Sequence, residues 1–417
     1  MNVVVTGLGC VTPVGADVES TWAALQAGTS GVRGIDRFDA SAFDTRFAAQ
    51  MPSLPPVERW DLEPWRQADL VDRKTHLLLV AAQQALAQSG IDARGPRVGV
   101  CIGSEGGRKL LERVAVRAAE HHGEPTLERA AGMLPPGELA RSRPGHPARV
   151  LASLVGAEGP TRTVATACTS AGGAIAEALY LLRAGHVDAV LAGGTDTLVE
   201  AFMVSGFSLL GALSTRNDDP QGASRPFDRH RDGFVLGEGA GLLVLEREDH
   251  ARARGANVLG RLLGAGLSNN AYRITDSPPD GTGPLVSMTA ALRDAGIGPQ
   301  DVGYINAHGT STAMNDLSET RGIRRAFGPH ADRLVVSSTK SMIGHLVAAC
   351  GAVEAVVTLM SLRDGVVHPT LNLTTPDPDC DLDCVPGEAR AVPGLSVAIS
   401  NAFGFGGSNA SLVLGRA

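Results

Sequence analysis

The sequence predicts an α/β protein in which helices cover sheets of largely buried strands. Short apolar runs with high strand propensity alternate along the chain with longer stretches rich in Ala and Leu. Several of the apolar runs are continuous rather than alternating, which is typical of strands that are buried on both faces. Strands that alternate with helices in this way favour sheets layered between helices.

Ten segments have the length and composition of strands, five in each half of the chain. They are Val3–Thr6, Val98–Ile102, Thr161–Ala165, Ala189–Ala192, Gly241–Leu245, Leu259–Leu267, Val302–Asn306, Leu334–Ser338, Ser396–Ser400 and Ala410–Leu414. Six segments have helical composition and periodicity. They are Val18–Ala27, Lys74–Gln88, Ala171–Ala184, Leu285–Ala295, Asp316–Phe327 and Leu346–Leu362.

The two halves repeat the same order of features. A strand-like run followed by a small-residue helix occurs around Cys168 and again around Lys340, and each half closes with a β-run. We therefore predict an internal duplication with one half at residues 1–253 and the other at 254–417. A polar, Pro-bearing region interrupts the first half, and we predict a cap insertion at about 105–150 that is either a partner surface or a variable surface excursion.

Composition excludes several classes of function. The chain has 417 residues, of which 43% are hydrophobic and 19% charged, with a formal net charge of −7. A net negative charge leaves no global basic field, so nucleic-acid binding is not expected. No apolar run is long enough for a membrane span, and the N-terminus has no signal-like segment. We therefore expect a cytoplasmic protein with no membrane association.

The six cysteines are sparse over a long chain and do not form a disulfide framework, which also favours the cytosol. Cys380 and Cys384 flank an acidic run, but no second pair of thiols or histidines lies near them in sequence, so we predict no metal site. Arginine almost replaces lysine, with three lysines in the chain. Lys340 is therefore notable, although chance also accounts for a lysine at that position.

Cys168 lies where a strand-like run meets a run of small, helix-forming residues. A side chain at that junction points at a helix N-terminus, where free N–H groups and the helix dipole favour an anion. We therefore predict a thiol with a lowered pKa and increased nucleophilicity. A buried cysteine that packs as a small hydrophobe is the alternative.

Two further junctions carry side chains that could assist such a thiol. His308 follows one short strand, and Lys340 and His345 surround another strand-to-helix junction. One cysteine, two histidines and a lysine on turns at strand ends together indicate a site that handles thioesters. Each histidine taken alone is also explained by a structural role.

Five motifs occur in an order that resembles the β-ketoacyl-[acyl carrier protein] synthases, which are condensing enzymes of the thiolase fold. The motifs are Thr166-Ala-Cys168-Thr-Ser, Ser224-Arg-Pro-Phe-Asp-Arg-His-Arg-Asp-Gly, Asn306-Ala-His308-Gly-Thr-Ser-Thr312, Ser338-Thr-Lys340-Ser-Met-Ile-Gly-His345 and Asn401-Ala-Phe-Gly-Phe405-Gly-Gly-Ser-Asn409. The resemblance covers nearly the whole chain. It implies an αβαβα thiolase-like fold and the elongating Cys-His-His type of site found in type II fatty acid or polyketide synthesis.

The resemblance implies a decarboxylative Claisen condensation that produces 3-oxoacyl-[acyl carrier protein]. Cys168 resembles the nucleophile that takes the acyl chain from a phosphopantetheine thioester. His308 and His345 resemble the pair that drives decarboxylation of the malonyl unit. Lys340 resembles the lysine that orders this region electrostatically, and Glu354 resembles its structural partner. No cofactor is expected beyond the phosphopantetheine of the carrier protein.

Further positions carry substrate and partner contacts in the same way. The backbone N–H groups of Cys168 and Phe405 resemble an oxyanion hole, and Phe405 also resembles a gate to the acyl pocket. Thr310 and Thr312 resemble the hydroxyls that bind the pantetheine arm. Arg73 and Lys74 resemble the basic pair that contacts the acidic acyl carrier protein. We expect a homodimer, or a heterodimer with a homologous subunit.

The sequence departs from the family pattern at three places. Gly211 stands where an arginine often contacts the carrier protein, Arg273 stands where the family has histidine, and residues 135–150 lack the usual acyl-pocket pattern. The acyl chain length therefore does not follow from the resemblance, and synthesis of a polyketide or polyene is an alternative to fatty acid synthesis. A degradative thiolase would need a second cysteine in the C-terminal Gly-rich motif, and a non-catalytic chain-length factor would lack Cys168.

Overall fold

The computed structural model of the protein describes residues 1–106 and 136–417. Much of the predicted cap insertion, residues 107–135, therefore lies outside the described residues. Within the described ranges the strands are β1 (Val3–Val11), β2 (Val32–Gly34), β3 (Phe47–Ala49), β4 (Val98–Gly103), β5 (Thr161–Val164), β6 (Ala189–Thr197), β7 (Glu238–Arg247), β8 (Gly260–Asn269), β9 (Tyr304–Asn306), β10 (Val335–Ser337), β11 (Val366–Val367), β12 (Arg390–Ala391), β13 (Val397–Phe403) and β14 (Ser408–Gly415).

Helices connect these strands. The α-helices of the same ranges are α1 (Val18–Gln26), α2 (Glu63–Gln67), α3 (Arg73–Ser89), α4 (Pro136–Arg141), α5 (His146–Val155), α6 (Ser170–Arg183), α7 (Ala201–Leu209), α8 (Glu248–Ala253), α9 (Thr282–Ala295), α10 (Ala313–Phe327), α11 (Lys340–Ile343) and α12 (Cys350–Asp364). Each of the ten predicted strands and six predicted helices overlaps an observed element. The predicted elements do not include the β2–β3 and β11–β12 pairs, the short helices α2, α4, α8 and α11, the nine-residue α7 or the ten-residue α5. Helix α5 begins inside the region that the sequence predicts to be irregular.

The strand order confirms the predicted duplication. In the first half the strands lie in the order β5-β4-β6-β7-β1, and in the second half in the order β10-β9-β13-β14-β8. In both halves the first two ladders are parallel and the next two are antiparallel. The halves join where Val3–Val5 of β1 pair with residues 260–262 of β8, which makes a continuous ten-stranded sheet. Residues 254–259 link the two halves along the chain.

Strand β7 shows why its apolar run is continuous. Leu242 and Val244 pack into the cluster that contains α3 and α5, whereas Leu243 and Leu245 pack into a central cluster that contains α6 and α12. Successive side chains of a strand point to opposite faces, so both faces of this sheet are buried. In the second half, the side chains of β14 divide in the same way between the central cluster and one formed with α9 and α10. The layers therefore follow the predicted αβαβα order.

The two central helices approach each other closely at a pair of glycines. A Cβ atom on Gly351 of α12 would lie 2.6 Å from the backbone nitrogen of Gly172 in α6 and 3.1 Å from its Cα. Such distances leave no room for a side chain, so the backbones are nearly in contact. Because these helices follow the turns that carry Cys168 and His345, this approach brings the two turns together. Among the described residues, no helix combines the length and apolarity that crossing a membrane requires.

Candidate active site

Cys168 occupies the strand-to-helix junction that the sequence predicts. Strand β5 ends at Val164, a 3₁₀ turn spans Ala167–Thr169, and α6 begins at Ser170. Ala167 adopts a positive φ of 53°, a conformation that non-glycine residues rarely take and that tight functional turns often contain. The thiol is buried but lines a cavity of the protein.

The predicted lowering of the Cys168 pKa is wrong. Burial raises the pKa of the thiol to about 12, although the charge of Lys340 and the backbone N–H groups of Phe405 and of Cys168 itself lower it. The helix N-terminus supplies donors as expected, but loss of hydration destabilises the thiolate by more than these hydrogen bonds stabilise it. Cys168 is therefore protonated at neutral pH in the empty site.

His345 makes direct contact with Cys168. Its Nε2 lies 3.0 Å from Cys168 Sγ, and its Nδ1 accepts a hydrogen bond from the Val347 backbone N–H at 3.2 Å. A ring nitrogen that accepts a hydrogen bond carries a lone pair, so in neutral imidazole the hydrogen lies on Nε2. Burial and the charge of Lys340 lower the pKa of His345 well below its usual value. The ring is thus neutral and directs an N–H group toward the cavity.

His308 is the third side chain of this group, after Cys168 and His345. Its ring centroid lies 5.2 Å from that of His345 with the planes nearly perpendicular. Its pKa is lowered well below the usual value by burial, by Lys340 and by His345. Within the described residues its Nδ1 is buried without a hydrogen-bond partner. A buried polar atom without a partner is unusual and indicates a group that a ligand satisfies.

The sulfur and one ring nitrogen of each histidine lie within 4.8 Å of one another, close enough to share a metal ion. A metal would need a lone pair on each nitrogen. The Val347 N–H directs the lone pair of His345 to Nδ1, so the Nε2 atom that faces Cys168 bears hydrogen. The arrangement therefore favours donation of hydrogen bonds to a substrate oxygen over metal ligation.

Lys340 lies behind the histidines rather than in the cavity. It forms an ion pair with Glu354, and both side chains are completely buried. Burial lowers the pKa of Lys340, but the charge and the hydrogen bond of Glu354 act in the opposite direction, and its pKa lies above the usual value. Burial raises the pKa of Glu354 to about 7 against the opposing effect of Lys340. The lysine therefore stays charged, and its charge adds to burial in lowering the pKa of both imidazoles.

A cavity of about 380 Å³ leads from the surface to this group. Thr310 and Thr312 line it beside His308, and their hydroxyl oxygens lie 2.9 Å apart. Their hydroxyls can exchange this mutual hydrogen bond for bonds to a polar chain that enters the cavity.

Phe405 lies beside Cys168, in the turn that follows β13. The backbone of Gly404 passes so close that a Cβ atom there would lie 3.0 Å from the Thr166 carbonyl oxygen and 3.3 Å from the Cys168 nitrogen. Glycine therefore allows the two turns to meet. The backbone N–H groups of Phe405 and Cys168 both reach the sulfur, and the Phe405 ring lines the cavity 6.3 Å from the Phe207 ring.

Two acidic residues of the site were missed. Glu319 of α10 is completely buried and accepts the backbone N–H groups of His308 at 2.9 Å and Gly309 at 2.8 Å. Burial raises its pKa to about 7. Glu105 lines the cavity and accepts the Ala167 N–H at 2.9 Å. Glu105 follows the carboxyl end of β4, which pairs with β5 in parallel, so its nearness to the Cys168 turn could have been inferred.

Arg73 and Lys74 are not placed as the predicted carrier contact requires. Arg73 forms two hydrogen bonds, at 2.7 and 2.8 Å, with the buried carboxylate of Glu238. Lys74 is only 8% exposed and donates a hydrogen bond to the Glu105 carbonyl oxygen. The prediction of an exposed basic pair fails because both charges point into the protein, where they satisfy buried acceptors.

The chain resembles known proteins over its whole length. The family description "Beta-ketoacyl synthase, N-terminal domain" matches residues 1–251, and "Beta-ketoacyl synthase, C-terminal domain" matches residues 259–374. The 3-oxoacyl-[acyl-carrier-protein] synthase 2 of Synechocystis sp. is 42% identical over 99% of this chain and 97% of that protein. The protein of the same name from Vibrio harveyi is 44% identical over 99% of this chain and 98% of its own length.

The fold of the chain is also similar to that of solved ketosynthase structures. A β-ketoacyl synthase from Burkholderia phymatum superimposes with a TM-score of 0.89 at 34% identity and covers 100% of this chain and 99% of its own. A type II PKS ketosynthase solved in complex with its acyl-carrier protein gives a TM-score of 0.90 at 32% identity, with 100% and 99% coverage.

Fold, site and relatives together define a condensing enzyme of the thiolase fold, an acyltransferase that forms carbon–carbon bonds by Claisen condensation. The chain belongs to the β-ketoacyl synthase family. Cys168 and the absence of a cysteine from the 403–408 motif distinguish it from a non-catalytic chain-length factor and from a degradative thiolase, the two alternatives left by the sequence.

Proposed function

We propose that Cys168 accepts an acyl group from a carrier-protein thioester and that His308 and His345 then drive its condensation with malonyl-[acyl carrier protein]. The product is 3-oxoacyl-[acyl carrier protein] in fatty acid or polyketide elongation. The observation that carries the proposal is a thiol and two neutral imidazoles that meet at the inner end of one cavity.

In the first half-reaction, the Cys168 sulfur attacks the thioester carbonyl and the pantetheine sulfur leaves with the thiol proton. The N–H groups of Cys168 and Phe405 lie where the carbonyl oxygen becomes negative. Fixed donors of this kind stabilise the tetrahedral intermediate without reorganisation. Because the free thiol has a pKa of about 12, these donors and Lys340 must stabilise the anion as it forms.

In the second half-reaction, the malonyl thioester loses CO₂ and its carbonyl oxygen gains the charge of an enolate. The Nε2–H of His345 and an N–H of His308 donate hydrogen bonds to that oxygen. The new carbanion then attacks the acyl carbon on Cys168, and the sulfur leaves as a thiolate that takes a proton from water to restore the neutral thiol. Neutral donors suit this step, since they stabilise the enolate without protonating its carbon.

The carrier protein delivers both substrates on its phosphopantetheine arm, and no other cofactor is needed. Thr310 and Thr312 bind this arm along the cavity wall. All six cysteines of the chain are free thiols, in accord with a reducing cytoplasmic compartment.

An apolar rim takes the place of the basic pair as the carrier contact. The side chains of Leu209, Leu210 and Ile274 are 89%, 56% and 82% exposed, and Leu210 and Met314 line the cavity mouth. Arg231, the cation among the described lining residues, is paired with Asp377 at 2.6 Å. Exposed apolar side chains around an entrance are typical of a partner-docking surface.

Strand β5 provides the contact with a second subunit. It lies at the edge of the sheet and pairs with β4 on one side only among the described residues, with Thr161 and Arg162 exposed. An open edge of this kind is a template for pairing with another chain. We infer a homodimer, or a heterodimer with a homologous subunit, that pairs along β5. Thr163→Pro should weaken the dimer in analytical ultracentrifugation, and an unchanged dissociation constant would refute this contact.

The catalytic proposal is tested by incubating the protein with acyl carrier proteins of several chain lengths and digesting it for mass spectrometry. We expect an acyl adduct on the peptide that contains Cys168, and 3-oxoacyl products once malonyl-[acyl carrier protein] is added. An adduct on any other cysteine, or products without an adduct, would overturn it.

The apolar rim is tested by substitution of its two leucines. Leu209→Ser with Leu210→Ser should raise KM for carrier-bound substrate but not for a small pantetheine thioester, whereas the exposed Leu54→Ser control should affect neither.

A further inference from the structure

A second thiol lies on the far side of His345 from Cys168. Cys350, the first residue of α12, is completely buried, and its Sγ lies 3.1 Å from His345 Nδ1. The same sulfur accepts the backbone N–H of Leu346 at 3.2 Å. Cys350 does not line the cavity, so no substrate meets it. The mechanism proposed above gives this thiol no role.

The hydrogen bonds around the ring define what Cys350 does. A thiol is both a weak donor and a weak acceptor. Its acceptor capacity is used by Leu346, which leaves the S–H free to donate to His345 Nδ1. Burial raises the pKa of Cys350 well above its usual value, so the proton stays on the sulfur at neutral pH. Nδ1 thus receives two donors, the Val347 N–H and the Cys350 S–H.

We propose that Cys350 is a positioning residue that holds His345 in the tautomer with hydrogen on Nε2. This inference rests on the proposed role of His345 as a donor to the enolate oxygen. The alternative tautomer, with hydrogen on Nδ1, would turn a lone pair toward Cys168 and the substrate and would place two hydrogens between Nδ1 and Val347. Cys350 therefore acts on the decarboxylation step, which needs Nε2–H, and not on acyl loading.

The test compares Cys350→Ala and Cys350→Val, which remove the donor, with Cys350→Ser, which keeps an O–H donor. The first readout is ¹⁵N NMR of histidine-labelled protein, with the His345 signals assigned from a His345→Ala spectrum. Wild type and Cys350→Ser should show hydrogen on Nε2 alone, whereas Cys350→Ala and Cys350→Val should show a measurable fraction of the other tautomer. This readout needs no turnover, so it is independent of the proposed condensation.

The second readout separates the two half-reactions. Loss of one net hydrogen bond should slow malonyl decarboxylation by about 2- to 10-fold in Cys350→Ala and Cys350→Val, while acyl loading of Cys168 is unchanged. Cys350→Ser should restore decarboxylation. Cys10→Ala, which empties an equally buried thiol position on β1, serves as the matched control and should change neither rate.

Three outcomes would overturn the proposal. They are a single Nε2–H tautomer in every variant, an equal loss of both half-reactions, and a failure of Cys350→Ser to recover what Cys350→Ala loses. If the wild type loads acyl groups but forms no 3-oxoacyl product, the proposed function fails while the NMR comparison still decides the role of Cys350. If Cys350→Ala does not fold, the near-isosteric Cys350→Val variant decides the same question.

Discussion

The two halves of the chain place different chemistry at the same position of a repeated topology. In the first half the strand β5 leads into the turn of Cys168 and then into α6. In the second half the matching strand β10 leads into the turn of Lys340 and His345 and then into α12. One turn presents a thiol and backbone N–H groups, and the other presents a buried charge and an imidazole ring.

In the proposed mechanism, this difference divides a two-step reaction between the two halves of a duplicated fold. The first turn needs a strand-to-helix junction that exposes one sulfur next to backbone N–H groups. The second turn has a buried ion pair, Lys340–Glu354, whose lysine adds to the effect of burial in lowering the pKa of His345. Neither turn contains the whole site, and the two are joined by the contact between α6 and α12 and by that between Cys168 and His345.

The largest expected effect comes from the first turn. Cys168→Ala should abolish condensation, because no other thiol of the described residues lines the cavity. Cys168→Gln should retain malonyl decarboxylation, since it leaves both histidine donors and a polar group in place. Product mass spectrometry and CO₂ release measure the two activities. Condensation by the alanine variant at a rate near wild type would exclude Cys168 as the nucleophile.

Variants of the two histidines, His345 in the second turn and His308 after β9, should fail in the opposite step. His308→Ala and His345→Ala should still accept acyl groups on Cys168 but lose decarboxylation by about 10²–10³-fold, the usual cost of removing one oriented donor. Acyl loading is followed by intact-protein mass spectrometry. His330→Ala, at a histidine outside the cavity that contacts the Val302 carbonyl oxygen, serves as the control. Decarboxylation at the wild-type rate would make the altered histidine structural.

A smaller effect is expected where the two turns meet. Phe405→Ala should weaken discrimination among acyl chain lengths and alter the acylation rate while the fold is kept, because the ring lies on a glycine-flanked turn at the cavity wall. Competition between acyl thioesters of different length measures this. The buried Phe327→Ala control should lower Tm without changing the chain-length profile. If Phe405→Ala behaves like that control, the ring is only part of the core.

The smallest effect is expected at Glu319, the buried carboxylate of the second half that accepts the backbone N–H groups of His308 and Gly309. The pKa of Glu319 in the folded protein, about 7, exceeds the ordinary glutamate value of 4.5, so the folded state binds this proton more tightly. The resulting stability is complete below about pH 4.5 and is lost as pH rises through 7. Glu319→Gln should therefore gain about 3 kcal/mol relative to wild type between pH 4.5 and pH 7.5. Urea unfolding of wild type and Glu319→Gln at both pH values measures this difference. An equal change in the free energy of unfolding with pH in the two proteins would contradict the prediction.

The sequence predicted the fold well because its main signals are local. Continuous apolar runs identified strands such as β7, and the repeated order of elements predicted the duplication. The short pairs β2–β3 and β11–β12 were missed because two or three residues carry no periodicity. Positions of the site residues on turns were also predictable, since strand ends and small-residue helix starts are visible in sequence.

What the sequence could not predict is burial. The pKa of Cys168 was expected to fall, because the helix N-terminus is a local feature, but it rises because the surroundings of the thiol come from both halves. Arg73 and Lys74 were expected on the surface, since nothing in the sequence reveals that Glu238 and the Glu105 carbonyl lie beside them. Likewise the contact of Cys350 with His345 depends on a turn whose path the sequence alone does not define.

The contact between Gly172 and Gly351 sets different tolerances for stability and for activity. A folded core absorbs small displacements by repacking, whereas the alignment of Cys168 Sγ with His345 Nε2, which lie 3.0 Å apart, changes directly with any displacement of the two turns. A methyl group added at Gly351 would press on the backbone of α6 and move apart the helices that carry the two turns, whereas one added at Gly172 would meet the Ala410 side chain of β14 instead. Gly351→Ala is therefore expected to lower activity more than stability.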